Sequence, residues 1–333
     1  MRIKIGKKLS LLVIAMAFSH VAMAQQEPQF SQYMFNRMSY NPGYAGSSGS
    51  ICATAMYRNQ WMGLNLDAPS AGGKPGSVPS DILFTFDMPV RFLHGGLGLT
   101  VVSDKIGYRE NLEVAVDYAF RMNWGDGNLS AGLEFDLLNS SIDKGSLWAP
   151  DDPASGSSSS DPTINGLSES ASIIDGSIGL YYQVPGKYYL GLSVKNILGA
   201  HSDEIKFSNA RTLYAMAGYD YTPSMSPSLR IKPSVLLKNA SFSYFQADLS
   251  CLLDYRNAFW GGLGYRVQDA IYLMAGFHWQ NFRVGVSYDV TTSNLGSYKP
   301  GRSMGSIELY LRFCFKPSHP RKPDTSYGNT LLL

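Results

Sequence analysis

Past its first 24 residues this chain has no apolar run of 20 residues, and so no helix able to cross a membrane. Histidine is sparse. His20 lies in the first 24 residues, and His94, His201, His278 and His319 stand far apart without metal-ligand spacing. The cysteines, Cys52, Cys251 and Cys314, are odd in number and scattered, which suits neither a disulfide framework nor a metal cluster. They read as small residues within strands, although an oxidising compartment permits one disulfide. A basic excess is missing as well. The formal charge of +2 becomes −2 once Arg2, Lys4, Lys7 and Lys8 are set aside, so nucleic-acid binding has no support. Any Ser/His/Asp set would be assembled arbitrarily from abundant residues, so neither an enzyme nor a cofactor is expected.

What is present starts with a secretory signal over residues 1–24. Arg2, Lys4, Lys7 and Lys8 make a basic start, Leu9 to Ala17 an apolar middle, and Ala22-Met23-Ala24 a small-x-small cleavage site. The mature chain is expected to begin near Gln25. Gln25, not a cysteine, stands directly after the cleavage site, so a lipoprotein is not indicated.

The rest repeats one pattern: about ten residues of alternating apolar and polar side chains, then a turn. Over Asn281 to Val290, Phe282, Val284, Val286, Tyr288 and Val290 fall on one side; Arg283, Ser287 and Asp289 fall on the other. One face is apolar, and the other carries full charges. The pattern predicts an all-β transmembrane antiparallel barrel of about 14 strands. The expected strands are Ser50–Gln60, Ser80–Met88, Gly95–Val102, Leu112–Asn123, Asn128–Leu138, Ile173–Gln183, Tyr188–Ile197, Thr212–Tyr221, Leu229–Lys238, Tyr244–Asp254, Phe259–Arg266, Ile271–Trp279, Phe282–Val290 and Ser303–Phe315. Pro233 falls inside one of them and predicts a bulge or a boundary there. Aromatic pairs near strand ends, such as Tyr188 and Tyr189, or Phe313 and Phe315, suit interfacial girdles.

Loop lengths orient the barrel. Outer-membrane barrels have short periplasmic turns and longer outside loops. Turns after even-numbered strands, such as Trp124–Gly127 and Gln280–Asn281, are short; Trp61–Pro79, Asn139–Ser172, Leu198–Arg211 and Thr291–Arg302 are long. The Ser- and Asp-rich stretch from Trp148 to Ser172 reads as a mobile external loop within one barrel domain, residues 50–315.

Register follows from energy. A one-residue slip in the last strand would put Glu308 and Arg312 into lipid, at roughly 2–4 kcal/mol for a basic side chain near the midplane. The same logic turns Glu113, Asp117, Arg121, Glu134, Asp136, Asp248, Arg266, Arg283 and Asp289 toward the lumen, which then carries both signs of charge.

Two segments fall outside the repeat. The arm, residues 25–49, holds Gln29-Phe30-Ser31-Gln32-Tyr33-Met34-Phe35-Asn36 and Asn41-Pro42-Gly43-Tyr44-Ala45-Gly46. It is aromatic and amide-rich, fit either to plug the lumen or to lie along the periplasmic rim. The tail, residues 316–333, is basic and proline-interrupted and is expected in the periplasm.

The arm's two motifs resemble the opening signature of the PorP/SprF family. Tyr57-Arg58-Asn59-Gln60-Trp61, Asp104-Lys105-Ile106-Gly107, Tyr188-Tyr189-Leu190-Gly191-Leu192-Ser193, Gly262-Leu263-Gly264-Tyr265-Arg266 and Ser287-Tyr288-Asp289 add to the resemblance in order. Gly305-Ser306-Ile307-Glu308 departs from a family Gly-Ser-His-Glu element, with Ile307 in the histidine's place. The resemblance implies a non-enzymatic outer-membrane component of the type IX secretion system of Bacteroidota. Its implied partners are outer-membrane lipids, periplasmic ring and motor components, and secreted cargo or adhesins, with gliding motility among the linked processes. Candidate partner contacts are Gln29, Phe30, Gln32, Tyr33, Met34, Asn36, Asn41, Pro42 and Tyr44 of the arm, and Arg58, Asn59, Gln60 and Trp61 at the expected outer rim. An interfacial tryptophan with capping polar groups accounts for the last set without any partner. Two other classes stay open from the residues alone: a passive porin or small-molecule transporter, and a soluble β-sandwich adhesin.

Overall fold

The computed structural model describes residues 27–63, 77–143, 169–202, 205, 207–241, 244–293 and 303–316. The signal segment, the tail beyond Lys316 and most of the expected loop from Trp148 to Ser172 lie outside the described residues.

Fourteen antiparallel strands close a barrel. They are β1 (Ile51–Asn59), β2 (Ser77–Val90), β3 (Gly95–Gly107), β4 (Arg109–Trp124), β5 (Gly127–Ile142), β6 (Ser170–Val184), β7 (Tyr188–Lys195), β10 (Thr212–Tyr219), β11 (Leu229–Ala240), β12 (Tyr244–Tyr255), β13 (Phe259–Arg266), β14 (Ala270–Trp279), β15 (Phe282–Thr291) and β16 (Ser306–Phe315). A small hairpin, β8 (His201–Ser202) with β9 (Phe207–Ser208), occupies the connection between β7 and β10. Each barrel strand pairs with its chain neighbour, and β1 closes on β16.

The alternation sets the faces as the residues demand. Val286, Tyr288 and Val290 are exposed on the outer wall while Ser287 and Asp289 are buried inside. In β16 Leu309 and Leu311 face out, and Glu308 and Tyr310 face in. A belt of exposed aromatics that includes Trp124, Tyr188, Tyr219, Tyr255, Phe259, Trp279 and Phe315 marks the end with the short turns, where such rings meet both headgroups and tails. Tyr189 is the exception to the girdle expectation: it is buried in the lumen, against Arg37.

Four expectations are corrected. First, β3 and β4 run on to Gly107 and Arg109, joined through Tyr108 alone, so the connection between them is short although it lies at the outer end. Asp104, Lys105, Arg109 and Glu110 interrupt the apolar alternation but still pair across the ladder. Charge ends a lipid-facing stretch without ending a strand. Second, β16 starts at Ser306, not Ser303. Third, Pro233 makes no bulge. It stays in register with Cys251 on β12, while the ladder to β10 stops at Gly218↔Ser234 and resumes as one bridge, Tyr221↔Ile231. The amide hydrogen that proline lacks falls where that partner ladder is interrupted.

The fourth correction concerns the cysteines. Cys52 and Cys314 stand opposite each other across β1 and β16 and form a disulfide. They are 262 positions apart in sequence, and only closure of the barrel makes them neighbours. Cys251 is free and exposed on the outer wall.

Candidate functional site in the filled lumen

The arm fills the barrel. Starting at Glu27 beside Tyr214 and Lys238, it descends through the lumen to Ser50, where β1 begins at the short-turn end, the end that short turns assign to the periplasm. Phe30, Tyr33, Met34, Phe35, Met38, Tyr40 and Tyr44 form one hydrophobic core with the inward rings Tyr181, Tyr214, Trp260, Tyr272 and Tyr310. Phe35 stacks on Tyr310 at 4.8 Å from Trp260 and 4.7 Å from Tyr310, ring centre to ring centre. The arm therefore supplies the apolar contacts that a soluble protein finds between its own layers.

Its local shape follows from its turn residues. Two single-turn 3₁₀ helices, Tyr33–Phe35 and Pro42–Tyr44, break its descent. Asn41 caps the second, its side chain accepting from the Gly43 amide at 2.9 Å, and Pro42 pre-sets the first helical residue. The Asn41 amide also donates to the Leu180 carbonyl at 2.9 Å. Wall glycines make room: a Cβ on Gly132 would lie 2.2 Å from the Gly43 nitrogen, and one on Gly179 would lie 2.1 Å from Asn41 Oδ1.

Charge fixes the upper arm. Arg58 lies 3.0 Å from Asp289 and 3.2 Å from Glu308, all three buried. Glu308 accepts from the backbone amides of Ser31 and Gln32, at 2.8 and 2.9 Å. Arg266 pairs with Asp248 at 2.9 Å, and Asp248 also accepts from the Gln29 side chain. The Tyr33 hydroxyl meets those of Ser234 and Ser250 at 3.1 and 3.0 Å. In the lower arm, the Arg121 guanidinium donates to the carbonyls of Ala45 and Gly46, and Arg312 to that of Phe35.

The two halves of the lumen differ in sign. Carboxylates oppose one another across the outer ladders, Asp81 to Asp104, Asp117 to Glu134 and Asp136 to Asp175, with Lys195 3.3 Å from Glu134 and 3.5 Å from Glu113. The periplasmic half holds Arg121, Arg230, Lys232, Arg283 and Arg312 against Asp87 and Asp254. Among the described residues no group of three or more His, Cys, Asp or Glu is arranged to hold a metal ion.

Residues 22–313 match the model of the type IX secretion system membrane protein PorP/SprF family. The chain belongs to the PorP/SprF family. As a family member with a closed 14-stranded barrel, it is an outer-membrane component of type IX secretion. No curated protein matches the chain. Among solved structures, it is similar to the Acinetobacter baumannii outer membrane protein Omp33, at 8% identity and TM-score 0.44, covering 80% of this chain and 97% of that one. The Ralstonia pickettii toluene transporter TbuX is similar at 11% identity and TM-score 0.45, covering 83% and 92%. A TodX monoaromatic hydrocarbon channel mutant is similar at 9% identity and TM-score 0.48, covering 84% and 94%.

In this PorP/SprF protein the arm's candidate contact residues, from Gln29 to Tyr44, face the barrel's own wall except Asn36, which accepts from the Ser39 hydroxyl within the arm. Arg58 belongs with them, buried at the centre of the ion network. Asn59, Gln60 and Trp61 lie apart at the outer rim; the Trp61 amide donates to Ser306 Oγ at 3.0 Å. Sequence reasoning placed Tyr310 on the inward face of the last strand but did not single out Lys195, Lys238 or Trp260, which also line the lumen. Their signal was the inward phase of their strands, visible only once the register is known.

Proposed function

We propose that this PorP/SprF protein is a sealed, non-enzymatic barrel that serves type IX secretion by contact. It meets secreted cargo or adhesins at its outer rim, around Gln60 and Trp61, and ring or motor components on the periplasmic side, where β16 ends at Phe315. The supporting observation is the arm: a lumen occupied by a buried, ion-paired plug does not suit a passive porin, whose conductance needs a water-filled channel.

Affinity purification of the full-length protein from native membranes tests the reading. Retention of secretion components and cargo is expected. Quantitative recovery of the barrel alone, under conditions that keep other membrane complexes intact, would contradict it.

A further inference from the structure

Arg283 on β15 and Arg312 on β16 stand directly opposite each other and both point into the periplasmic half of the lumen. Like charges paired across a ladder are destabilising unless something offsets them. Little here does. Arg312 has one carboxylate, Asp87, at 3.8 Å, and otherwise donates to the Phe35 carbonyl and the Tyr44 hydroxyl, both at 3.3 Å, and through Nε to Cys314 Sγ at 3.1 Å. Arg283 has no carboxylate within ion-pair distance among the described residues. Its Nε donates to His278 Nδ1 at 3.2 Å, and its guanidinium lies 5.2 Å from the Phe35 ring. The nearby Asp254 is already shared between Arg230 and Lys232, each at 3.1 Å.

The same two arginines line a cavity on either side. The inner one, about 210 Å³, reaches up to Arg37, Tyr44 and Lys232 beneath the arm. The outer one, about 620 Å³, opens at the periplasmic mouth. Among the described residues no carboxylate lines this larger cavity; its wall adds His278 and Lys316, the amides of Asn257, Gln280 and Asn281, and the ring of Phe282.

We propose that this mouth is a binding site for an acidic peptide segment entering from the periplasm, with one carboxylate bridging Arg283 and Arg312. Guanidinium forks match carboxylate geometry and bind it through paired N–H donors. The turn amides suit a peptide backbone, and the volume exceeds what a single small oxyanion fills. The inference rests on the contact role proposed above and supplies the chemistry of the periplasmic partner.

Fluorescence anisotropy of purified full-length protein in detergent, with a labelled octapeptide of alternating aspartate and glycine, tests it directly. Saturable binding is expected. Arg283→Gln should weaken binding at least tenfold, Arg283→Lys should restore part of it, and a lysine–glycine octapeptide should not bind. Inorganic phosphate is the control for a small-anion site. Binding of phosphate without the peptide overturns the proposal, as does peptide binding unchanged in Arg283→Gln. A heat-modifiable gel shift confirms that each variant is folded. Because the probe is a synthetic peptide, failure here leaves the native-membrane purification to judge the contact role separately.

Discussion

Arg58 on β1 and Glu308 on β16 face each other across the seam that joins the first and last strands, 3.2 Å apart and out of contact with water. One pair thus does two jobs. It links the chain's two ends within the barrel, and through Glu308 it holds the Ser31 and Gln32 amides of the arm. Losing Glu308 leaves Arg58 with Asp289 at 3.0 Å, so the cost falls below the roughly 3–5 kcal/mol of a buried charge stripped of its only partner, but it also removes the carboxylate acceptor for two arm amides. Glu308→Gln should therefore lower the denaturant midpoint of the barrel in micelles and make the arm sensitive to protease. An unchanged midpoint with a protected arm would show that the network does not hold the plug.

The disulfide clasps the same seam six residues further along β16. A thiol-reactive maleimide should label the unreduced, denatured protein once, at Cys251, and three times after reduction. The Cys52→Ser, Cys314→Ser double variant should lose about 2–4 kcal/mol of stability. Triple labelling before reduction would contradict the bond.

Steric fit in the wall gives a second handle on the arm. Gly179→Val should push out the Asn41–Gly43 turn, because its Cβ alone would lie 2.1 Å from Asn41 Oδ1. Gly261→Ala is the control, since a Cβ there meets only ordinary contact at 3.5 Å. Limited proteolysis should cleave the arm in the first variant and spare it in the second. Equal protection in both would mean that the wall does not set the arm's position.

The contact surfaces are separable by truncation. Deleting residues 317–333 should leave the barrel folded and abolish recovery of periplasmic secretion components. Trp61→Ala should reduce cargo recovery and spare those components. Tail deletion without loss of ring association would remove the tail from the account.

The barrel was legible because lipid enforces a period of two: a slip in β16 would bury Glu308 and Arg312 in hydrocarbon, so the register was written in the residues themselves. Loop lengths gave the direction, although the one-residue link at Tyr108 shows that outer connections need not be long. The Cys52–Cys314 bond was missed although closure of the expected barrel sets the first and last strands side by side; what the alternation does not give is the register that puts Cys52 opposite Cys314. The arm's motifs stood out as exceptions to the repeat, but whether they plugged the lumen or lay on its rim hung on pairings with Asp248, Asp289 and Glu308 more than 200 positions away.

The central claim is that the arm seals the lumen. Single-channel recording in planar bilayers tests it most directly, comparing the intact protein with a variant lacking residues 27–45. The intact barrel should be silent, and the deletion variant should conduct ions steadily. Steady conductance by the intact protein would contradict it.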